Sequence, residues 1–319
     1  MTTVAVLALD AAKIVAGLEE RFPGVEYLAG ATFDDLGRRT SEVDVLVTRG
    51  GGEGWMISAA DIASLPQLAW VQGMVSGTDH FQEALSDRPE ILLTSGRGIH
   101  GPPVSEMAVF HMLALSRQAR ILLRLQEERV WDRTVELDLL QGKTVGILGM
   151  GVIGQYLARL CKAFGMTVVG CARTPRQLPD FDEFIPADRL LEFAACADFI
   201  VLLIPLTEET RALIDRQFLA TMKPTAYVLN FARGAVIDEE ALIEALDAGT
   251  IGGAGLDALL QEPLPPESPL WGYDNVLVTS HLAGESVRYA DQVLPIIERN
   301  LDAYLRGKLD QMINVVARS

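Results

Sequence analysis

Basic side chains are scarce in this chain: 27 lysine and arginine residues stand against 43 aspartate and glutamate residues, giving a formal net charge of -16. That field would repel a polyanion unless a local basic face overcame it, so we expect no nucleic-acid partner. Although 49% of the residues are hydrophobic, no apolar run approaches the roughly 18 to 20 residues that span a bilayer. We therefore expect no membrane partner either.

Cysteine and histidine are also few. The three cysteines are odd in number and show no Cys-x-x-Cys spacing, so neither a disulfide framework nor a thiolate metal site is indicated. The four histidines form no His-x-His or His-Glu-x-x-His pair, and we expect no metal ion. The first residues lack the basic segment and the cleavage site of a secretory signal. The sequence therefore predicts a cytoplasmic protein.

The 319 residues suffice for about two domains. In the first hundred residues, short β-branched runs alternate with helical stretches, a pattern typical of a parallel sheet. The alternation restarts at Thr144 with strands that are apolar on nearly every residue, as expected where helices cover both faces of a sheet. The predicted fold class is α/β, with two doubly wound parallel-sheet domains.

Between the two alternating regions, Pro102 and Pro103 open a long helical segment that extends to about Trp131. Its apolar residues cover much of the circumference of a helix. The pattern predicts a helix that is buried between domains or between subunits.

A glycine motif of the form G-x-G-x-x-G follows a short apolar run. Gly149 would permit the tight turn out of a strand, Gly151 would let the backbone approach a pyrophosphate, and Gly154 would let the next helix pack closely. The free N–H groups at the start of that helix, at Val152 and Ile153, would face the anion. The motif predicts a dinucleotide-binding turn.

The loop after the next strand indicates which dinucleotide is bound. A site selective for NAD usually has an acidic residue about 20 residues beyond the glycines, at the end of the second strand. Here that strand leads instead into Arg173, Thr174 and Arg176. The two guanidinium groups would suit a ribose 2′-phosphate, so NADP is favoured, with NAD still possible. The alternative is that both arginines are solvated loop charges.

Three polar motifs occur near the ends of later strands. Arg233 closes Asn-x-x-Arg after the apolar run AYVL, Glu262 lies on the loop after GGAGLDA, and His281 follows NVLVTS. Open α/β sheets bind ligands at the carboxyl ends of their strands, so we expect these groups at comparable edges of one sheet. An arginine there can clamp a carboxylate, and a histidine can give a proton near neutral pH.

The order of these motifs resembles the D-isomer-specific 2-hydroxyacid dehydrogenase family over nearly the whole chain. The resemblance implies a Rossmann dinucleotide-binding domain at residues 99–283, inserted into a flavodoxin-like substrate domain made of residues 1–98 and 284–319. It also implies a homodimer held largely by the segment after Pro102.

The resemblance further implies catalytic roles. Arg233 would be the substrate clamp, His281 the acid/base, and Glu262 the carboxylate that orients and charges the imidazole. The other implied positions are Pro205 and Asp257 for the cofactor, and Val75, Ser76 and Gly77, whose backbone amides would bind the substrate carboxylate.

Several single-residue interpretations stay open. Asp257 could instead be a helix or turn cap. The glycine-rich run after Arg49 could admit a substrate or simply form a mobile loop. Ser280 stands where the family commonly has proline, so the loop before His281 could be less rigid. The other histidines and the tryptophans are interpreted as structural; they are His80, His100, His111, Trp55, Trp70, Trp131 and Trp271.

The function these observations favour is NADPH-dependent reduction of a small 2-oxo acid, such as glyoxylate or hydroxypyruvate, to the D-2-hydroxy acid. One alternative is a dinucleotide-sensing binding module of the corepressor kind, with little turnover. Another is an enzyme of the same fold that acts on a larger substrate, such as phosphite or a phosphorylated hydroxy acid.

Overall fold

The computed structural model describes residues 1–50 and 57–317, apart from the side chain of Asp79. Trp55 and most of the glycine-rich run after Arg49 therefore lie outside the described residues. The chain divides into two compact units, Met1–Ile99 with Ser286–Ser319, and His100–Glu285. These limits differ by one or two residues from the domain limits predicted from the sequence.

The strands and helices of the described residues follow in chain order. The strands are β1 (Thr3–Leu7), β2 (Glu26–Gly30), β3 (Val45–Thr48), β4 (Trp70–Gly73), β5 (Leu92–Thr94), β6 (Thr144–Leu148), β7 (Thr167–Ala172), β8 (Glu183–Pro186), β9 (Phe199–Leu202), β10 (Tyr227–Asn230), β11 (Gly253–Leu256) and β12 (Val276–Val278). The helices are α1 (Ala11–Arg21), α2 (Ala59–Ala63), α3 (Asp79–Ala84), α4 (Gly101–Ser116), α5 (Ala119–Glu128), α6 (Val152–Ala163), α7 (Leu190–Cys196), α8 (Arg216–Thr221), α9 (Glu239–Asp247) and α10 (Tyr289–Leu305).

The first unit contains a parallel sheet in the order β2-β1-β3-β4-β5, the flavodoxin-like order. Its central strand β1 is buried along its whole length. Val4 and Val6 face one apolar cluster, which includes residues of α1 and α10, whereas Ala5 and Leu7 face a second cluster. Alternate side chains of a strand point to opposite faces, so a strand covered on both faces is apolar at every position.

A buried polar network joins α10 to the first unit. The Asn300 side-chain amide donates to Gln72 Oε1 at 2.8 Å, and its oxygen accepts from the Ile313 N–H at 2.8 Å. Gln72 Oε1 also accepts from the Thr94 hydroxyl at 2.8 Å. Because buried polar groups need partners, these bonds specify where the C-terminal segment lies, which its apolar pattern alone could not.

The second unit contains a seven-stranded parallel sheet in the order β12-β11-β10-β9-β6-β7-β8. Strand order reverses between β6 and β9, which is the switch point where doubly wound sheets bind ligands. The predicted fold class, two doubly wound parallel sheets with a Rossmann domain, is confirmed.

The long helical segment predicted after Pro102 is two helices and not one continuous helix. Helix α4 is followed by Gln118 at φ 52°, and α5 begins at the next residue. Helix α4 has nine buried residues, whereas α5 has none. A left-handed residue interrupts the α-helical ladder, and the periodicity of the side chains did not reveal it.

Strands β2, β8 and β11 were not identified from the sequence. Strand β11 consists mainly of glycine and alanine, so it lacks the β-branched residues by which strands are recognised. The small residues are required by packing: a methyl group added to Gly255 would lie 2.7 Å from Nδ1 of His111. Strand β8 is a partly exposed edge strand, and β2 is only half-buried.

Within the described ranges, no helix combines the length and apolar character that crossing a bilayer requires.

Candidate active site

The glycine motif forms the turn between β6 and α6. Gly149 has φ 113°, and a methyl group on it would lie 2.6 Å from the carbonyl oxygen of Leu203, just after β9. A methyl group on Gly154 would lie 2.3 Å from the carbonyl oxygen of Gly149. Only glycine meets the positive φ and both close approaches without displacing backbone. The turn therefore has the conformation that the sequence predicted.

The N-terminus of α6 fits a phosphate group. Gly151 precedes the helix, and a methyl group on it would meet no described atom within 4 Å. Among the described residues, no side chain caps the first turn, which begins at Val152 and Ile153. Uncapped N–H groups and the helix dipole favour an anion at this point. The residues present thus fit the pyrophosphate of a dinucleotide.

The loop after β7 carries Arg173, Thr174 and Arg176, all exposed. In the described part of the chain, neither arginine makes a hydrogen bond or an ion pair. The pKa of Glu209 is lowered chiefly by a hydrogen bond from Thr207, and to a smaller extent by the charge of Arg173. The exposed Pro205 lies just after β9. The loop is cationic and holds no acidic residue at the ribose position.

Arg233 follows β10 and is held by an asparagine at the end of that strand. The Asn230 side chain accepts from the Ala232 N–H at 3.0 Å and donates to the carbonyl oxygen of Arg233 at 3.0 Å. It also donates to the carbonyl oxygen of Ala258, after β11, at 3.2 Å. Asn230 is buried, so it fixes the loop of Arg233 against the next loop along the sheet edge.

Glu262 and His281 form a pair at the same edge. His281 Nδ1 lies 2.9 Å from Glu262 Oε2 and 3.1 Å from Oε1. The Leu259 N–H donates to Glu262 Oε1 at 2.9 Å and fixes the carboxylate. The His281 side chain is 43% exposed and that of Glu262 39% exposed. The imidazole is therefore oriented through Nδ1 and still accessible to a ligand.

The charges of this pair are coupled. The hydrogen bond to Glu262 raises the pKa of His281, opposed by burial and by the charge of Arg233. Burial raises the pKa of Glu262, but the bonds from His281 and Leu259 and the charges of His281 and Arg233 outweigh it, so that pKa is lowered overall. Arg233 thus lies close enough to this pair for its charge to influence the ionisation of both Glu262 and His281.

Asp257 is buried and caps the turn that carries His281. Its Oδ1 accepts from the Leu282 N–H at 3.0 Å, and its Oδ2 accepts from the Ala283 N–H at 3.1 Å. His281 itself has φ 53°, in the left-handed region that non-glycine residues seldom adopt. The turn-cap interpretation of Asp257 describes these contacts, and its role towards a nicotinamide stays a prediction.

Sequence reasoning assigned no role to Asn230 or Thr279. The Thr279 hydroxyl donates to Asp257 Oδ1 at 2.5 Å. Asn230 opens the Asn-x-x-Arg-Gly motif, so its spacing to Arg233 was a usable signal. Thr279 lies two residues before His281 in an ordinary strand end, and its partner is distant in sequence. Ser280, which lies between Thr279 and His281, is exposed.

The predicted substrate-carboxylate residues lie in the first unit, after β4. Val75 and Gly77 are half-buried and Ser76 is exposed. The carbonyl oxygen of Val75 accepts from the Gly96 N–H at 2.8 Å, and the Tyr289 hydroxyl donates to the carbonyl oxygen of Met74 at 2.8 Å. These two hydrogen bonds fix the start of the loop within the first unit, and the role of the loop in substrate binding stays a prediction.

No group of three or more His, Cys, Asp or Glu side chains among the described residues is arranged to hold a metal ion.

A Rossmann sheet with a glycine turn at its switch point, and an Arg, Glu and His set on neighbouring strand ends, defines a dinucleotide-dependent class of protein. The family model for the NAD-binding domain of D-isomer specific 2-hydroxyacid dehydrogenases matches residues 109–283, more than half of the chain. The chain belongs to the D-isomer specific 2-hydroxyacid dehydrogenase family. The predicted family and the predicted nicotinamide dinucleotide cofactor are confirmed.

Two curated relatives illustrate the similarity. Glyoxylate reductase of Korarchaeum cryptofilum is 33% identical over 263 residues, which cover 79% of this chain and 78% of that protein. D-3-phosphoglycerate dehydrogenase of Methanocaldococcus jannaschii is 33% identical over 309 residues, which cover 95% of this chain and 57% of that protein. The chain therefore spans little more than half the length of the latter enzyme.

Solved structures match the whole chain. A D-isomer specific 2-hydroxyacid dehydrogenase family protein from Aeromonas salmonicida has a TM-score of 0.89 at 32% identity, covering 100% of this chain and 99% of that chain. An NADPH-dependent glyoxylate/hydroxypyruvate reductase from Sinorhizobium meliloti, in complex with NADP and sulfate, has a TM-score of 0.84 at 30% identity, with the same coverage.

Proposed function

We propose that the chain is an NADPH-preferring reductase that converts a small 2-oxo acid, of the glyoxylate or hydroxypyruvate type, to the D-2-hydroxy acid. The observation that carries this proposal is the Glu262–His281 pair, 2.9 Å apart, within the electrostatic reach of Arg233. A cation for the substrate carboxylate and a proton donor for its carbonyl oxygen are the two groups this chemistry needs.

Arg233 would bind the substrate carboxylate. Its loop is fixed by Asn230, so the guanidinium can be held in one place before a substrate arrives. A planar guanidinium binds a carboxylate through two parallel hydrogen bonds and so orients the neighbouring carbonyl. The backbone amides of Val75, Ser76 and Gly77 are proposed as further donors to the same carboxylate.

His281 would deliver the proton. Glu262 holds Nδ1, which leaves Nε2 as the nitrogen that faces a substrate oxygen. The raised pKa increases the share of protonated imidazole near neutral pH, and the protonated form is the acid that the reductive direction needs. In the reverse direction the neutral imidazole would accept the proton from the hydroxyl group.

The dinucleotide would be held by the turn at Gly149, Gly151 and Gly154 and by the N–H groups of Val152 and Ile153. We also assign cofactor contacts to Pro205 and Asp257, and 2′-phosphate contacts to Arg173, Thr174 and Arg176. When bound, the reduced nicotinamide supplies the hydride. Both arginines are exposed and make no hydrogen bond or ion pair among the described residues, which supports the preference for NADPH.

The test is a substrate panel with purified protein. NADPH oxidation is followed with glyoxylate, hydroxypyruvate, 3-phosphohydroxypyruvate and phenylpyruvate, and each reaction is repeated with NADH. We expect turnover with the two small acids, and a higher kcat/KM with NADPH. Tight cofactor binding without turnover of any 2-oxo acid would contradict the proposal and favour the binding-module alternative. Turnover restricted to the phosphorylated acid would favour the larger-substrate alternative.

We further propose that the protein is a cytoplasmic homodimer. Helix α5 buries no residue within the chain, and the segment after it leaves large apolar side chains exposed, among them Trp131 at 92%. Large exposed apolar side chains that group into one patch mark an interaction surface, and we propose that those of this segment do so. The three cysteines are free thiols, which suits a reducing compartment. Sedimentation at micromolar concentration tests the dimer directly.

A further inference from the structure

His111 is a histidine in the core of the second unit, and the roles proposed above do not use it. It lies on α4, is 0% exposed, and its ring packs edge-on against Phe231 with the centroids 5.0 Å apart. Burial lowers the pKa of His111 to about 4, so the ring is neutral near neutral pH. Among the described residues, its Nδ1 is buried without a hydrogen-bond partner.

The other ring nitrogen joins a chain of hydrogen bonds. His111 Nε2 lies 3.2 Å from Thr279 Oγ1, and Thr279 Oγ1 lies 2.5 Å from Asp257 Oδ1. A carboxylate can only accept, so the Thr279 hydroxyl must donate its single proton to Asp257. The same oxygen then accepts from His111, which requires the neutral tautomer with the proton on Nε2.

Asp257 connects this chain of hydrogen bonds to the turn that carries His281. Its carboxylate accepts the backbone N–H groups of Leu282 and Ala283, and its carbonyl oxygen accepts the N–H of His281 at 3.0 Å. His281 occupies a left-handed conformation, which persists only where the surroundings over-determine it. The buried carboxylate that imposes the turn thus depends on Thr279 for its shortest hydrogen bond.

We propose that His111 and Thr279 are positioning residues for the reaction: through Asp257 they hold the turn that presents the His281 imidazole to Glu262. This inference rests on the proposed function. A purely structural role explains His111 poorly, because an apolar side chain of similar shape would fill the same space without an unpartnered buried nitrogen. The unpartnered Nδ1 of His111 lowers the stability of the fold, so the presence of a histidine at this position calls for a specific reason.

We call the chain of hydrogen bonds from His111 through Thr279 to Asp257 the relay. Two pairs of variants test it: Thr279→Val with Thr279→Ser, and His111→Phe with His111→Gln. Thr279→Val keeps the shape of the side chain but removes the hydroxyl, and His111→Phe keeps a flat aromatic ring, slightly larger than the imidazole, but removes the ring donor. Thr279→Ser keeps the hydroxyl, and His111→Gln keeps a donor near the position of Nε2. We expect the first variant of each pair to lose kcat by about tenfold with little change in KM, since one hydrogen bond to a charged group is lost or weakened. The second variant of each pair should restore most of it.

The double variant Thr279→Val with His111→Phe should be no slower than Thr279→Val alone, since both substitutions break one chain of bonds. If the losses of kcat in the two single variants multiply in the double variant, the proposal is wrong. Wild-type kcat in a folded Thr279→Val protein, or a lowered melting temperature with kcat unchanged, would also overturn it.

Amide hydrogen exchange gives a readout that needs no turnover. In Thr279→Val and in His111→Phe, the Leu282 and Ala283 amides should exchange about tenfold faster, while the amides of α6 keep their protection. If the wild-type protein reduces no 2-oxo acid, the proposed function fails, and this measurement still decides whether the relay holds the turn. Unchanged exchange at both amides would contradict it.

Discussion

Two regions at the carboxyl ends of the strands of the second sheet differ in how far hydrogen bonds within the chain fix them. At the ends of β10, β11 and β12, Asn230, Glu262 and Asp257 fix every loop by hydrogen bonds within the chain. At the end of β7, Arg173 and Arg176 are exposed and make no hydrogen bond or ion pair among the described residues. We call these the catalytic edge and the ribose loop.

The difference is the one that the proposed roles of the two regions require. Proton transfer requires a donor held to within a fraction of an ångström, so its geometry has to be set before the substrate binds. Recognition of a ribose substituent requires charge of the right sign, which long solvated side chains can supply as the ligand arrives. Substitutions at the catalytic edge should therefore change kcat, and those in the ribose loop should change cofactor affinity.

The largest effect is expected at His281. The variant His281→Asn suits the left-handed conformation at this position, because asparagine tolerates positive φ better than alanine does. Without an acid, kcat for 2-oxo acid reduction should fall by about 10³-fold. The dissociation constant of NADPH, measured by fluorescence, should stay within about twofold of the wild-type value.

A variant that keeps more than a tenth of the wild-type kcat would remove His281 from the role of acid. Loss of NADPH binding in a folded variant would instead show that the catalytic edge and the cofactor site are not separable in this way.

A smaller effect, with a distinct pH signature, is expected at Glu262. In Glu262→Gln the side chain keeps its shape but loses the negative charge, so the charge-assisted hydrogen bond that raises the pKa of His281 becomes at most a weaker neutral one. Reduction needs the protonated imidazole, so its rate falls as the pH rises through the pKa of His281. The falling limb of kcat/KM should therefore move to lower pH in this variant, with kcat about 10²-fold lower at its optimum.

Glu240→Gln, an exposed acid on α9, is the matched control for the change in net charge. A falling limb that stays at the wild-type pH in Glu262→Gln would show that the pair does not set the pKa of the catalytic acid.

The residues at the strand ends could be predicted from the sequence, whereas the buried residues that contact their loops could not. Arg233 and His281 each follow an apolar strand that was recognised in the sequence, and parallel strands place their carboxyl ends at one edge. Glu262 was placed at that edge from the GGAGLDA run before it, although the sequence did not identify this run as strand β11. The buried residues that we propose to position the His281 turn could not be found from the sequence in this way. His111 and Thr279 are 168 residues apart in sequence, and their contact depends on how α4 packs against the small residues of β11.

In the segment after Pro102, the predicted single helix is wrong, and its predicted burial between domains or between subunits stays a prediction for α5. The apolar periodicity of this segment indicated one helix, yet the chain turns at Gln118, and α5 leaves Leu122 and Leu123 exposed. Periodicity reports that a face is apolar, but not whether that face is covered by the same chain or by another molecule.

The smallest effect is expected in the ribose loop, where it sharpens the contrast between the two regions. Arg173→Ala and Arg176→Ala should each raise the dissociation constant of NADPH by up to about tenfold at low salt, because a charge-assisted hydrogen bond to a phosphate is lost. Affinity for NADH, which lacks that phosphate, should change by less than about twofold, and kcat at saturating cofactor should be unchanged.

Arg38→Ala, in an exposed position of the first unit, is the control for lost positive charge. Equal losses for both cofactors would mean that the arginines serve the part of the dinucleotide that NADPH and NADH share. Affinities unchanged from the wild type would mean that they are solvated loop charges, and that the preference for NADPH has to come from another part of the chain.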